Sequence, residues 1–221
     1  MQPRHRPAAV GRTWVPARPA EPLLRARFRP AGRTDLGGFR MRRFAQIGIL
    51  GAIAFTFMYL DFPIPPFPPY LQYDPGDVPA LIAGFALGPA AGVAVELLKG
   101  LLISLLRSGE LGGPFGVFMN VLAGVTLVAV SGAYYRLEHT RRGAMRGLAF
   151  GIAATTAVMI AANVILTPVF YGLPRAQVIA LVLPALLPFN LIKGVLNSLI
   201  TFYVYKRVRA YFYDLGDRAA W

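Results

Sequence analysis

Six apolar segments follow one another between residues 41 and 208, and they limit the folds open to this chain. They cover residues 41–60, 78–87, 93–106, 114–135, 147–170 and 184–208. A helix that crosses a bilayer needs about 20 apolar residues. Hydrophobic residues make up 56% of the chain and charged residues only 15%, which excludes an ordinary soluble domain. The pattern predicts an all-α membrane protein, with a bundle of six transmembrane helices in a domain at residues 41–209.

The second and third segments are short and are separated by Gly88-Pro89. Proline ends or kinks a helix. One long bent helix is an alternative, but about 30 residues are too many for a single span. We therefore expect two short helices joined by a tight turn.

Basic residues form three clusters, and six spans place all three on one side of the membrane. Since Lys and Arg concentrate in cytoplasmic loops, that side is predicted to be the cytoplasm. The protein is then a multi-pass plasma-membrane protein with both termini in the cytoplasm. The clusters are Arg40, Arg42 and Arg43; Arg136, Arg141, Arg142 and Arg146; and Lys206, Arg207 and Arg209.

Residues 1–40 are rich in Arg and Pro, and they lack a sustained apolar period. Such a segment buries too little apolar surface to fold alone, so we expect a disordered cytoplasmic tail that touches anionic lipid. A nucleic-acid-binding arm and a transit peptide are the alternatives. Nothing else in the chain indicates a nucleic-acid partner. Residues 210–221 are expected to form a short C-terminal tail, also cytoplasmic.

The loop "DFPIPPFPPYLQYDPGDVP" between the first two segments is rich in proline and aromatic residues. Proline fixes φ and removes a hydrogen-bond donor, so the loop is stiff and not helical. Its apolar side chains need burial, which favours a lid over a cavity at the outer face. A solvent-facing connector held by interfacial aromatics is the alternative.

Charged side chains within the apolar segments are few, and such groups mark function by default. Glu96 and Lys99 are three residues apart, so they share a helix face and are expected to pair. The pair is either structural or in contact with a ligand. Lys193 lies about two turns inside its segment, too deep for snorkelling, and shares a face with Asn190 and Asn197.

Amide side chains accompany these charges in the last three segments. Asn120 and Asn197 are each best explained by hydrogen bonds between helices. Asn163, Asn190 and Lys193 together offer donors and acceptors that match an imide edge, C(=O)–NH–C(=O). The two histidines, His5 and His139, lie outside the apolar segments. With no hydrolase, ATPase or metal-binding motif, the chain is not expected to be an enzyme.

Three stretches resemble the substrate-binding S components of energy-coupling factor (ECF) vitamin transporters, in particular the riboflavin-specific branch. They are "YDPGDVPALIAGFALGPAAGVAVELLKGLL", "GELGGPFGVFMNVLAG" and "PFNLIKGVLNSLITFYVYKR". The resemblance covers about residues 41–209. It implies a six-helix bundle that binds riboflavin from outside, as a transported ligand and not a cofactor. It also implies partners: a transmembrane scaffold subunit and two ATPase subunits that drive release inside.

The resemblance also implies roles for particular residues. The Asn-x-x-Lys of the last span corresponds to Asn190 and Lys193, and the fifth-span Asn to Asn163; these are expected to hold the polar edge of the isoalloxazine ring. The other positions that the resemblance places at the ligand are Glu110 and the first-loop residues Leu71, Tyr73 and Asp74. Asn120 is a further candidate for ligand contact, beside its explanation by hydrogen bonds between helices. Docking on the scaffold is expected through small residues of the first span, Ala45, Gly48 and Ala52, for which ordinary packing within the bundle is the alternative.

Two kinds of alternative remain at this point: an S component for another vitamin, and a protein of a different class, either a stand-alone carrier or an intramembrane enzyme. An S component for thiamin, niacin or pantothenate would bind a ligand with a different polar edge, whereas Asn163, Asn190 and Lys193 together suit an imide edge. A stand-alone carrier would be expected to show an internal repeat, which the sequence lacks. An intramembrane enzyme would need titratable groups that the apolar segments do not supply.

Overall fold

The computed structural model describes residues 34–68, 70–106 and 113–216. From Phe39 onward the described residues belong to one compact unit. The elements in chain order are α1 (Thr34–Tyr59), β1 (Phe62–Pro63), β2 (Gln72–Tyr73), α2 (Asp77–Ala86), α3 (Pro89–Leu106), α4 (Gly113–Leu137), α5 (Arg141–Tyr171), α6 (Arg175–Ala180), a π-helix (Val182–Leu186) and α7 (Leu187–Gly216).

Each of the six apolar segments coincides with a helix of the structure, so the mostly helical fold is confirmed. Four helical stretches of the described chain are long and apolar enough to cross a membrane: Pro89–Leu106, Gly113–Leu137, Arg141–Tyr171 and Val182–Tyr205. Helix α2 has only 10 residues, and α1 carries three arginines before its apolar part begins at Phe44. The count of six crossings therefore stays a prediction.

The expected turn between the second and third segments is present at Gly88. Its φ of 97° lies in the left-handed region that glycine adopts without strain. Pro89 then begins α3, a position where the missing N–H costs nothing. Arg43 of α1 donates a hydrogen bond to the carbonyl of Leu87, the residue that ends α2. Two helices joined by a tight turn are thus confirmed over one bent helix.

Helices α2 and α3 touch through their backbones. A Cβ placed on Gly92 would lie 2.7 Å from the Ala80 carbonyl oxygen and 2.8 Å from the Cα of Gly84. Only glycine permits this approach. The main apolar core lies around this pair and is completed by side chains of α1, α4 and α5, including Ala54, Val128 and Leu148.

The helix ends differ from the predicted domain boundaries. Helix α1 begins at Thr34, before the predicted end of the tail at residue 40, and α7 continues to Gly216, beyond residue 209. Residues 1–33 and 217–221 lie outside the described part of the chain. The division into tail, bundle and tail therefore stays a prediction, with helical structure at both of its boundaries.

Large apolar side chains face outward along several helices, as a lipid environment allows. Leu105 is 70% exposed, Phe150 56% and Leu199 50%. In water such a surface would be an aggregation or interaction patch, whereas hydrocarbon solvates it. The outward face of the bundle is therefore suited to lipid, and the polar side chains described below point inward.

We predict that Gly92→Ala lowers the stability of the purified protein in detergent by about 1–3 kcal/mol, because the new methyl group overlaps α2. Gly48→Ala is the matched control, since a Cβ there meets nothing within 4 Å. That variant should be neutral or slightly stabilising. Thermal unfolding measures both, and equal melting temperatures for the two variants would contradict this packing.

Candidate functional site

A buried lysine with three carboxylates lies inside the bundle. The Nζ of Lys99 is 2.9 Å from Asp74 Oδ2, 2.6 Å from Asp77 Oδ1 and 2.8 Å from Glu96 Oε2. All four residues are at most 1% exposed. The predicted pairing of Glu96 with Lys99 is confirmed, and the structure adds two aspartates from the first loop and the start of α2. We call these four residues the Lys99 cluster.

The contacts within the Lys99 cluster are not equivalent. The two aspartates accept hydrogen bonds from Lys99, whereas the oxygens of Glu96 have no hydrogen-bond partner among the described residues. Glu96 contacts Lys99 as an ion pair, with Oε2 2.8 Å from Nζ. Removing one partner from a buried ion network leaves an uncompensated charge and costs about 3–5 kcal/mol, so the cluster is a structural centre of the fold.

Helix α7 joins the cluster through Asn197. Its Nδ2 donates to the Asp74 carbonyl oxygen at 3.1 Å and to Asp77 Oδ2 at 2.9 Å. Its Oδ1 accepts a hydrogen bond of 2.8 Å from the Tyr73 hydroxyl. The prediction that Asn197 makes hydrogen bonds between elements is confirmed, and its partners are the first loop and α2.

Lys193 lies one turn before Asn197 on α7 and is 7% exposed. Its Nζ is 3.7 Å from Asp77 Oδ2. This distance gives an ion pair but is too long for a hydrogen bond. The burial of Lys193 agrees with the predicted inward orientation, and its depth in the membrane stays a prediction. Asp77, which the sequence reasoning did not single out, is the carboxylate that this lysine faces.

The first loop folds against the bundle. Strands β1 and β2 pair antiparallel with Phe62 opposite Tyr73, and the ring of Phe67 meets that of Phe189 edge to face at 5.6 Å. Asp74 Oδ1 accepts a hydrogen bond from the backbone N–H of Gly76 at 2.6 Å. The loop is therefore held by α7 and by the Lys99 cluster, and its action as a lid stays a prediction.

Tyr73 is a hydrogen-bond donor that stays protonated. Burial raises the pKa of its hydroxyl to about 12, and the nearby carboxylates of Asp77 and Asp74 add to the shift. At neutral pH the phenol therefore keeps its proton and can donate to Asn197 without interruption.

The amides Asn163 and Asn190 lie on neighbouring helices and share one local arrangement. Each donates through Nδ2 to the carbonyl four residues earlier, Asn163 to Met159 and Asn190 to Leu186, both at 2.8 Å. Asn163 Oδ1 also accepts from Thr167 at 3.2 Å. Among the described residues no hydrogen bond joins Asn163 or Asn190 to Lys193. The three side chains predicted to bind an imide edge are therefore not held together by hydrogen bonds to one another.

A π-helix comes directly before the segment that carries Asn190 and Lys193. It covers Val182–Leu186 and contains Pro184, and single turns of π-helix are frequent at functional sites. Its last residue, Leu186, supplies the carbonyl that holds Asn190. The sequence predicted only a helix from residue 184; the prolines at 184 and 188 were the available sign of irregular backbone.

The remaining predicted residues have separate surroundings. Leu71 is half-buried in the first loop. Asn120 on α4 has a buried Oδ1 with no hydrogen-bond partner among the described residues, so the expected bond between helices is not seen for that atom. Glu110 lies outside the described part of the chain.

The small residues of α1 face outward. Ala45, Gly48 and Ala52 are exposed, whereas a Cβ on Gly51 would overlap the Leu98 side chain. Packing within the bundle therefore occurs through the other side of α1. The three small residues form one exposed stripe, as expected for residues at these spacings on a helix.

Two cavities of about 360 and 350 Å³ lie near Arg43. The larger is lined by Arg43, Arg136, His139 and the turn at Gly88. Neither cavity is lined by a residue predicted to bind ligand. The predicted site and these basic cavities are therefore different places in the bundle.

The fold and the polar interior define a multi-pass helical membrane protein with a buried ionic centre. A family model described as the substrate-specific component of ECF transporters matches residues 42–205. The chain belongs to this family.

Relatives with known names agree with this assignment. The riboflavin transporter RibU of Staphylococcus aureus is 33% identical over 183 residues, 80% of this chain and 95% of the relative. The riboflavin transporter FmnP of Bacillus subtilis is 32% identical over 168 residues, 73% of this chain and 88% of the relative. A solved S component of a bacterial ECF transporter superposes with a TM-score of 0.70 at 34% identity, covering 78% of this chain and 98% of that one.

We predict that Lys99→Met lowers the stability of the protein by about 3–5 kcal/mol, because three buried carboxylates lose their shared cation. Arg146→Met is the matched control, since Arg146 is exposed and its partner Glu138 is partly exposed, and such surface pairs contribute about 0–1 kcal/mol. Thermal unfolding and yield in detergent measure the difference. Equal stability of the two variants would contradict the buried cluster.

Proposed function

We propose that this chain is a riboflavin-binding S component, which captures the vitamin outside the cell and delivers it through an ATP-driven ECF transporter. The observation that carries the proposal is the similarity, over most of their length, to relatives named as riboflavin transporters. Family membership supports the general role. The choice of riboflavin rests on those relatives and on the polar groups of α5 and α7.

The chemistry of these groups suits the imide edge of the isoalloxazine ring. Lys193 presents three N–H donors, and its described neighbour Asp77 is at ion-pair distance without taking a hydrogen bond. Asn190 uses one N–H on Leu186, which leaves its second N–H and its carbonyl oxygen. We propose that Lys193 donates to a ring carbonyl and that Asn190 accepts from the ring N–H, with Asn163 at the far carbonyl.

The first loop is proposed to close this site. We propose that Leu71, Tyr73 and Glu110 contact the vitamin, as the family resemblance implies, and that Asn120 is a further polar contact. The carboxylate of Asp74 is already engaged by Lys99 and by Gly76. This engagement favours a role for Asp74 in holding the loop over direct contact with the vitamin.

ATP-driven delivery requires partner subunits, because the sequence carries no ATPase motif. We propose that a transmembrane scaffold subunit docks on the stripe formed by Ala45, Gly48 and Ala52, with two ATPase subunits beyond it. Small residues let helices approach closely, and the exposure of all three supports this use.

The proposed orientation places both termini in the cytoplasm of a bacterial cell and the first loop outside. The three basic clusters support it. They lie in α1, at the junction of α4 and α5, and in the last part of α7.

We predict that the purified protein binds riboflavin tightly and quenches its fluorescence, because the ring enters a site with polar partners. A fluorescence titration at micromolar flavin measures this. Absence of quenching together with tight binding of thiamin, niacin or pantothenate would contradict riboflavin and would support the other vitamin.

We predict that Lys193→Ala weakens riboflavin binding at least about tenfold, because it removes a charge-assisted hydrogen bond. Lys206→Ala is the matched control, since it makes the same change about 20 Å further along α7. The titration is repeated on both variants. Equal affinity of Lys193→Ala and the unchanged protein would contradict the site.

We predict that Ala52→Trp abolishes co-purification with the scaffold subunit but leaves riboflavin affinity unchanged, because the indole prevents close helix approach. Leu101→Trp, on the exposed face of α3, is the control. Retained co-purification of Ala52→Trp would contradict docking through this stripe.

A further inference from the structure

Asp77 is the one carboxylate of the Lys99 cluster with a described ion pair to both buried lysines. Its Oδ1 is 2.6 Å from Lys99 Nζ, and its Oδ2 is 3.7 Å from Lys193 Nζ. The side chain of Asp77 is 2% exposed. A single carboxylate therefore joins the structural centre of the bundle to the lysine of the proposed ligand site.

The orientation of the Asp77 carboxylate is fixed from both sides. Lys99 holds Oδ1 by a hydrogen bond of 2.6 Å, and Asn197 donates to Oδ2 at 2.9 Å. Asn197 lies one turn from Lys193 on the same helix, so Asp77 Oδ2 is held next to the side chain of Lys193. An ion in this buried setting interacts more strongly than at a wet surface.

The ion pair leaves the hydrogen-bonding capacity of Lys193 for another acceptor. At 3.7 Å the carboxylate stabilises the charge without taking an N–H in a good hydrogen bond. A charged side chain is buried in proteins when a counter-charge lies nearby. Asp77 thus holds Lys193 inward, with its N–H groups able to donate to another acceptor.

We propose that Asp77 is the positioning residue of the riboflavin site and acts on the vitamin through Lys193. This inference rests on the proposed function. It also connects the first loop to the site, because Asp74 and Asp77 share Lys99 and Asn197. When the first loop places Asp74 against Lys99, it therefore also fixes the position of the Asp77 carboxylate that orients Lys193.

The Lys99 cluster contains one carboxylate to be tested by substitution and another that serves as its control. Asp77→Asn keeps the side-chain shape, and two carboxylates remain for the two lysines, so the protein is expected to fold. Glu96→Gln makes the equivalent neutralising change at a carboxylate that pairs with Lys99, with no described ion pair to Lys193. A purely structural role predicts similar effects of the two variants, whereas a positioning role predicts different ones.

The test is a double-mutant cycle on the full-length protein, with riboflavin titrated into the unchanged protein, Asp77→Asn, Lys193→Ala and the double variant. We expect Asp77→Asn to weaken binding about tenfold and the double variant to bind no more weakly than Lys193→Ala. Glu96→Gln should bind within about threefold of the unchanged protein. The visible absorption band of bound flavin should change alike in Asp77→Asn and Lys193→Ala and stay unchanged in Glu96→Gln.

Three outcomes overturn the inference. The first is unchanged affinity in Asp77→Asn. The second is that the losses from Asp77→Asn and Lys193→Ala multiply in the double variant. The third is equal loss in Asp77→Asn and Glu96→Gln. In these cases the unchanged protein still binds riboflavin, so the proposed function stands. If the unchanged protein does not bind riboflavin, both proposals fail. If Asp77→Asn does not fold, Asp77→Glu replaces it in the same cycle, since it keeps the charge and moves the carboxylate by one methylene.

Discussion

The burial of Lys99 among Asp74, Asp77 and Glu96 determines how the described elements meet. Charged groups in a membrane interior are expensive unless they are paired, and here one ammonium is within 2.9 Å of each of three carboxylates. The pairing requires the end of the first loop, the start of α2 and the middle of α3 to converge. Asn197 of α7 donates hydrogen bonds to the backbone carbonyl of Asp74 and to the carboxylate of Asp77. Helix α7 is therefore held against the same elements. The loop and the last helix therefore have fixed places relative to each other.

Local chemistry allowed part of this arrangement to be predicted from the sequence. The turn at Gly88-Pro89 follows from the backbone preferences of those two residues, and the pairing of Glu96 with Lys99 follows from their spacing. Asp77 was missed because its partners are 22 and 116 residues away in the sequence, as its pairs with Lys99 and Lys193 show. The π-helix before α7 was also missed, since hydrophobic period does not distinguish it from an α-helix. The helical start of α1 at Thr34 lies in an Arg-rich stretch whose composition indicated disorder.

The same network relates the fold of the protein to its proposed function. Lys193 contributes its charge to the polar interior, yet its distance from Asp77 leaves its donors for a ligand. Asn163 and Asn190 are held by carbonyls of their own helices, so their remaining polar atoms have defined directions. In an S component, binding groups arranged in advance lower the ordering cost of capture. The exposed small residues of α1 lie apart from this interior, so the proposed docking surface is separate from the proposed ligand site.

We propose that riboflavin binds at Lys193 while Asp77 remains paired with Lys99. An experimental structure of the purified protein with riboflavin would show both contacts. We expect a carbonyl of the flavin imide edge about 2.7–3.2 Å from Lys193 Nζ, with the Asp77–Lys99 contact intact. Flavin bound instead in the basic cavity at Arg43 and Arg136, with Lys193 beyond hydrogen-bonding reach of the ring, would contradict it.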